Sequence, residues 1–173
     1  GNSTRRVMLD VVIALLPASI AAVVIFGMKA LTVLLACTVS AVLFEALFCL
    51  LTGRKQSVGD LSAVVTGLLL GLNLSTNVPV WQCVVGSFFA IILVKCLFGG
   101  LGHNFANPAI TARVFMLLAF SSVAGGANPV IVELTTSATP LELINSDMSA
   151  LPSLGDMFLG LRGGAVGESC VLA

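Results

Sequence analysis

The chain has 173 residues, 58% of them hydrophobic and only 9% charged, with no net charge and a mean hydropathy of +1.11. Soluble domains carry about 25% charged residues, so this composition excludes a water-soluble globule and suits a surface that faces lipid. The expectation is an all-α polytopic membrane helical bundle, a single integral domain over residues 1–173 held in the lipid bilayer, with no nucleic-acid partner.

A bilayer core takes roughly 20 apolar residues per helix, and five segments qualify in chain order: Val7 to Phe26, Ala30 to Leu51, Val58 to Leu74, Val78 to Phe98 and Pro108 to Ala124. A sixth starts near Gly164. The third and fifth are short, so they are expected to be tilted, broken or sheltered by neighbours. Pro17 is expected to kink the first, because proline removes a hydrogen bond and crowds the preceding turn. Arg5-Arg6 before the first apolar run also opens signal peptides, but the run is long and more spans follow, which favours a transmembrane helix. The chain starts at Gly1 without methionine and stops at Ala173 as an apolar stretch begins, so it reads as a fragment of a longer protein.

The five cysteines, Cys37, Cys49, Cys83, Cys96 and Cys170, have no paired spacing and read as small apolar packing residues. With one histidine besides, no metal site is expected, and no catalytic side chain is assigned. Arg5, Arg6, Arg54, Lys55, Lys95 and Arg113 fall on one side of alternating spans, against Lys29 and Arg162 on the other. The positive-inside rule then puts the N-terminus in the cytoplasm. The segment 125–163, with Glu133, Glu142, Asp147 and Asp156, becomes a long outer-face loop. Thr139 to Asn145 and Leu151 to Leu161 are each expected to form a short interfacial helix, the first capped by Thr139 with Pro140 behind it.

That loop holds the densest polar stretch of the chain, Thr135-Thr136-Ser137-Ala138-Thr139-Pro140. Read alone, it is either a hydroxyl-rich cap and turn or an attachment point for a covalent group. Glu133-Leu134-Thr135-Thr136-Ser137-Ala138-Thr139 resembles the flavin-transfer motif Asp-x-x-(Ser/Thr)-Gly-Ala-Thr of membrane subunits in ion-pumping redox complexes. Glu133 stands where Asp is usual and Ser137 where Gly is usual. Arg5-Arg6-Val7-Met8-Leu9-Asp10-Val11 with Ala14-Leu15-Leu16-Pro17-Ala18, Ser62 to Leu70, Phe98 to Ala109 and Gly164 to Ser169 also look familial. In this order they resemble the D subunits of the Rnf ion-translocating ferredoxin:NAD oxidoreductase complex, a family shared with the B subunit of the sodium-pumping NADH:quinone oxidoreductase.

The resemblance implies FMN joined through its phosphate to the Thr139 hydroxyl by a flavin transferase, with Glu133, Thr136, Ser137 and Ala138 as the attachment motif. It also implies non-covalent riboflavin near the cytoplasmic side. Gly99-Gly100-Leu101-Gly102-His103-Asn104 with Asn107-Pro108 lies on that side; Asn104 and Asn107 either contact such a flavin or cap a broken helix. His103 reads as an interfacial residue.

Ionisable residues near the bilayer need partners and are often functional. Lys95 is expected to snorkel to the inner interface, with Asp10 and Asp60 available to pair with it or with Arg113. Glu45 is the deepest acid. It reads as a carboxylate on an ion path or as a buried partner at a helix interface.

The function implied is a flavoprotein component of a prokaryotic cell-membrane translocase, inactive alone. Its FMN on Thr139 would relay electrons between ferredoxin- and NAD-linked partner subunits, coupled to Na⁺ or H⁺ movement. The chain has no nicotinamide fingerprint, so NAD falls to another subunit. The alternative is a small-molecule or ion transporter with a broken-helix site and no flavin.

Overall fold

A computed structural model describes residues 2–55, 57–100, 102, 103, 105–120 and 153–159. All regular structure among them is helical. α1 (Asn2–Phe26) and α2 (Met28–Thr52) are 25 residues each and are long and apolar enough to cross a membrane. Leucine, valine, isoleucine and alanine surround both helices, leaving no polar face. Val24, Ile20, Leu43, Leu50 and Leu51 are exposed, as a lipid-facing helix requires. Pro17 lies inside α1, which stays helical from Asn2 to Phe26.

α1 and α2 meet at Gly27, whose φ of 73° with ψ of −154° is a combination essentially restricted to glycine. α2 ends at Gly53, also left-handed, with the Gly53 amide returning to the Cys49 carbonyl. A short 3₁₀ turn (Val58–Asp60) then leads into α3 (Ser62–Asn73). α3 has 12 residues, about 18 Å at 1.5 Å per residue, which is shorter than a bilayer core. It is thus a broken helix. Beyond Asn73 the chain continues without helix through Leu74, Ser75, Thr76 and Val78, all buried.

α4 (Val80–Phe88) runs into a π-helical segment (Phe89–Cys96), and α5 (Pro108–Ala119) again has 12 residues. α6 (Leu154–Leu159) falls inside the expected interfacial helix. The other expected loop helix, Thr139 to Asn145, lies outside the described residues.

α2 is the central element, in contact with α1, α3, α4 and the π segment. α3 runs antiparallel to it and comes very close: a Cβ on Gly67 would stand 2.6 Å from Thr38 Cα, and one on Gly71 would be 3.0 Å from a Leu34 methyl. α4 runs parallel to α2, with Ser87 Oγ donating to Cys37 O (3.1 Å) near one end and Lys95 reaching Glu45 near the other. α5 packs antiparallel on α4 through stacked Phe89 and Phe115 rings, 4.3 Å between centroids, and through Met116 against Gly86. Cys37, Cys49, Cys83 and Cys96 are buried thiols at these interfaces, filling space as the sequence suggests.

Candidate functional site

The end of the bundle formed by the C-terminus of α2, the Val58–Asp60 turn and the C-terminus of the π segment holds a buried polar cluster. Glu45 comes from α2 and Lys95 from the last turn of the π segment. Lys95 Nζ lies 2.7 Å from Glu45 Oε1, with 2% and 1% of the two residues exposed. Lys95 therefore does not snorkel outward as expected from sequence. Four methylenes would carry its ammonium to water if the helix faced that way, but the π segment turns the side chain onto α2.

Two serines complete the cluster. Ser57 Oγ donates to Glu45 Oε1 at 2.6 Å and also lies 3.6 Å from Cys49 Sγ. Lys95 Nζ donates to Ser62 Oγ, which in turn donates to Asp60 Oδ1 at 2.6 Å. Asp60 Oδ1 also accepts from the Ser62 amide at 2.8 Å, so it caps the start of α3. That geometry needs Leu61 between them in a left-handed conformation, φ 65°, which a leucine adopts only at a cost of about 1–2 kcal/mol. Asp60 and Ser57 are half-buried. The cluster therefore connects the interior to the end of the bundle.

Both donors to Glu45 use Oε1. Oε2 is buried and accepts no hydrogen bond among the described residues. Burying an ion pair costs several kcal/mol per ion, repaid only by close pairing and further hydrogen bonds. A buried carboxylate on a helix long and apolar enough to cross a membrane needs close partners, and such residues are often functional.

Arg54 closes the cluster from the outside. Its guanidinium donates to Cys96 O (3.3 Å) and lies 5.6 Å from the Phe48 ring centroid. Arg5, Arg6, Arg54 and Lys55 gather at this same end of the bundle, and Lys29 lies at the other. Arg113 is half-buried on α5 and donates to Asn73 Oδ1 on α3 at 2.7 Å, and Asp10 is exposed on α1. Lys95 is thus paired with Glu45, and Asp60 serves Ser62.

The glycine-rich turn follows the π segment. Gly99, Gly100 and Gly102 have φ of 110°, 99° and 82°, values that an L side chain rarely adopts. Gly100 N donates to Lys95 O at 3.0 Å, and the Phe98 and Phe105 rings meet edge to face at 4.9 Å. Asn107 is the N-cap of α5: its Oδ1 accepts from the amides of Ala109 (3.0 Å) and Ile110 (3.4 Å), with Pro108 at the first helical position. Asn107→Ala is expected to destabilise by about 0.5–2 kcal/mol through loss of that cap. Asn107→Asp, which keeps the acceptor, should melt near the parent; comparing thermal midpoints in detergent checks both.

Asn104 lies outside the described residues, as do Glu133, Thr136, Ser137, Ala138 and Thr139. Sequence alone marks Glu45 and Lys95 singly and does not join them. A signal is present: in an alternating topology both residues sit near the same ends of their expected spans, which puts them at similar depth without naming them as neighbours. Ser57 and Ser62 give less sign, since serine is ordinary in a turn.

The sequence matches the NQR2, RnfD, RnfE family over residues 1–173. It is 44% identical over 176 residues to the D subunit of the Na⁺-translocating ferredoxin:NAD⁺ oxidoreductase complex of Acetobacterium woodii, covering 99% of this chain and 55% of that protein. The D subunit of the ion-translocating oxidoreductase complex of Yersinia pseudotuberculosis is 37% identical over 163 residues, 92% of this chain and 43% of its own length. The Escherichia coli protein of the same name is 44% identical over 123 residues, 69% and 34% of the two chains. The chain spans about half the length of the curated relatives it matches. A match through its whole length, with the first of these identities, places this chain in the NQR2, RnfD, RnfE family.

Proposed function

We infer that this chain belongs to the flavin-carrying membrane component of an Rnf-type redox-driven ion pump. The observation that carries the reading is the Glu133-to-Thr139 motif in a chain of this family. Thr139 offers the ester oxygen for FMN phosphate, and Glu133, Thr136, Ser137 and Ala138 form the sequence that a flavin transferase would act on. FMN supplies one- and two-electron chemistry that no side chain performs, and the protein contributes placement and electrostatics.

The topology adopted is five crossings and the start of a sixth, with α3 and α5 as broken helices sheltered by α2 and α4. The basic residues at the Arg5–Arg54 end support a cytoplasmic N-terminus, with Thr139 on the outer face of a prokaryotic cell membrane. Asn104 and Asn107 belong by sequence to the Gly99–Pro108 stretch that this reading gives to riboflavin. Ferredoxin and NAD are handled by other subunits of the complex.

The ion path is assigned to the buried cluster at Glu45. Its carboxylate lies in a low-dielectric interior with Ser57 on Oε1, and Lys95 links it to Ser62 and, through Ser62, to Asp60. Na⁺ or H⁺ would pass there while electrons move through the flavins. A transporter without flavin would need no hydroxyl acceptor in an outer loop.

The test is flavin fluorescence of the denatured full-length protein, co-expressed with a flavin transferase, beside Thr139→Val. Denaturation releases any loose flavin. Fluorescence retained in the parent and lost in the variant is the expected result; equal fluorescence in both would place the attachment elsewhere. A dark parent, with the transferase active on a control substrate, would remove the flavin reading.

A further inference from the structure

The Glu45 cluster is built asymmetrically. Ser57 and Lys95 both donate to Oε1, and Oε2 receives nothing among the described residues. A pair kept only for packing would gain by spreading its donors over both oxygens, because a bare buried acceptor is costly. Glu45 Oε1 with Ser57 Oγ, and Ser62 Oγ on the other side of Lys95, are hard oxygen donors of the kind that replace water around a small cation. The Lys95 ammonium bridges two of these oxygens, Glu45 Oε1 and Ser62 Oγ.

The segment carrying Lys95 is the irregular part of its helix. Residues Phe89–Cys96 are wound with i→i+5 bonds, the Leu97 amide reaching Ile92 O at 3.0 Å and the Gly100 amide reaching Lys95 O at 3.0 Å. π segments are rare, usually a single turn long, and frequent at functional sites. Rewinding it to α removes the lag that builds up along the segment to one residue at its end, so Lys95 in its last turn would rotate by roughly 100° around the axis. For Lys95 that rotation leads off the α2 face and away from Glu45. Gly99, Gly100 and Gly102 follow directly, with backbones able to absorb the change.

We propose that Lys95 is a tethered cation that closes the Glu45 site, and that a π-to-α shift of Phe89–Cys96 withdraws it so that a dehydrated alkali cation takes its place. The proposal rests on the assignment of the ion path to Glu45 and adds its gate. One monovalent charge replaces another, so the net charge of the cluster is the same in both states. Occupancy by both is disfavoured, since two like charges would face each other across one carboxylate in a low-dielectric interior. The nearby groups suit this exchange: Asp60 holds Ser62 from the far side, and Arg54 anchors the Cys96 carbonyl where the segment ends.

The test uses the assembled redox complex containing the full-length protein. Lys95→Gln keeps hydrogen-bond donors toward Glu45 and Ser62 but removes the competing charge. Binding of radiolabelled sodium to the resting complex is expected to tighten by about 5-fold or more, and proteoliposomes should leak sodium without electron transfer. Lys95→Arg should bind as the parent does. Unchanged sodium affinity in Lys95→Gln, with loss of stability only, overturns the gate. Sodium binding abolished by Glu45→Gln but untouched by Lys95→Gln would leave the ion path standing and defeat the gate alone.

A second measurement needs no variant. Hydrogen exchange of the parent complex is expected to change across residues 89–100 when sodium replaces choline. No change there overturns the proposal, as does a parent that binds neither sodium nor lithium and responds only to protons. Flavin labelling at Thr139 is read independently, so its outcome does not confuse these.

Discussion

Lys95→Met is expected to destabilise the folded protein by about 3–5 kcal/mol, the usual cost of stripping one partner from a buried ion pair. Methionine fills the space of the lysine stem but leaves the Glu45 carboxylate, 1% exposed, without the ammonium that sits 2.7 Å away. Ser57 alone then serves a charge in a low-dielectric interior. The double variant Glu45→Gln with Lys95→Met should recover most of the loss, because neutral groups of similar volume carry no ionic desolvation penalty. Unfolding of the full-length protein in detergent, followed for parent, single and double variants, checks this. A single variant that unfolds with the parent would mean that the pair is open to water.

Gly67→Ala is expected to destabilise although alanine is the better helix former. A Cβ at this position would stand 2.6 Å from Thr38 Cα and 2.9 Å from Cys37 O, both backbone atoms of α2 that cannot rotate away. Overpacking of this kind costs about 1–3 kcal/mol and outweighs the roughly 1 kcal/mol that alanine gains over glycine inside a helix. Gly67→Val should be worse. Gly86→Ala is the contrast: its new methyl meets only the flexible side chain of Met116, which can swing aside. The order of thermal midpoints, with Gly86→Ala above Gly67→Ala and Gly67→Ala above Gly67→Val, is the expected readout. A stabilised Gly67→Ala would show that α2 and α3 are less tightly apposed than 2.6 Å implies.

The α2–α3 contact also separates what is legible in the sequence from what is not. Runs of apolar residues announce α1 and α2, and the ends of these helices at Phe26 and Thr52 fall within a residue of the expected ones because Gly27 and Gly53 punctuate them. The shortness of α3 and α5 is visible as short apolar runs. The reason is hidden: α3 is sheltered because Gly67 and Gly71 admit α2 closely, and glycine spacing alone does not name the partner. The site divides the same way. Thr139 and its neighbours stand out in sequence as a linear motif. Glu45 and Lys95 are 50 residues apart and meet only because parallel α2 and α4 bring them to one depth, the π winding then aiming Lys95 inward. A helical wheel assumes α periodicity and would misplace every residue beyond Phe89.

Asn107 is legible in both of its readings, as a flavin contact and as a cap. Its Oδ1 is engaged with the Ala109 and Ile110 amides, so any riboflavin near this turn would be met by other atoms of Asn107 or by its neighbours. Departures from the usual flavin motif, Glu133 for Asp and Ser137 for Gly, leave in place the Thr139 hydroxyl proposed as the acceptor.

The proposed covalent flavin is read out directly by peptide mass spectrometry of the full-length protein made with an active flavin transferase, mapping the segment from Glu133 to Thr139. The expected result is one FMN phosphoester on Thr139, with Thr135, Thr136 and Ser137 unmodified. An unmodified peptide, from cells whose transferase labels a control substrate, would contradict the flavoprotein assignment and return the chain to the class of flavin-free transporters.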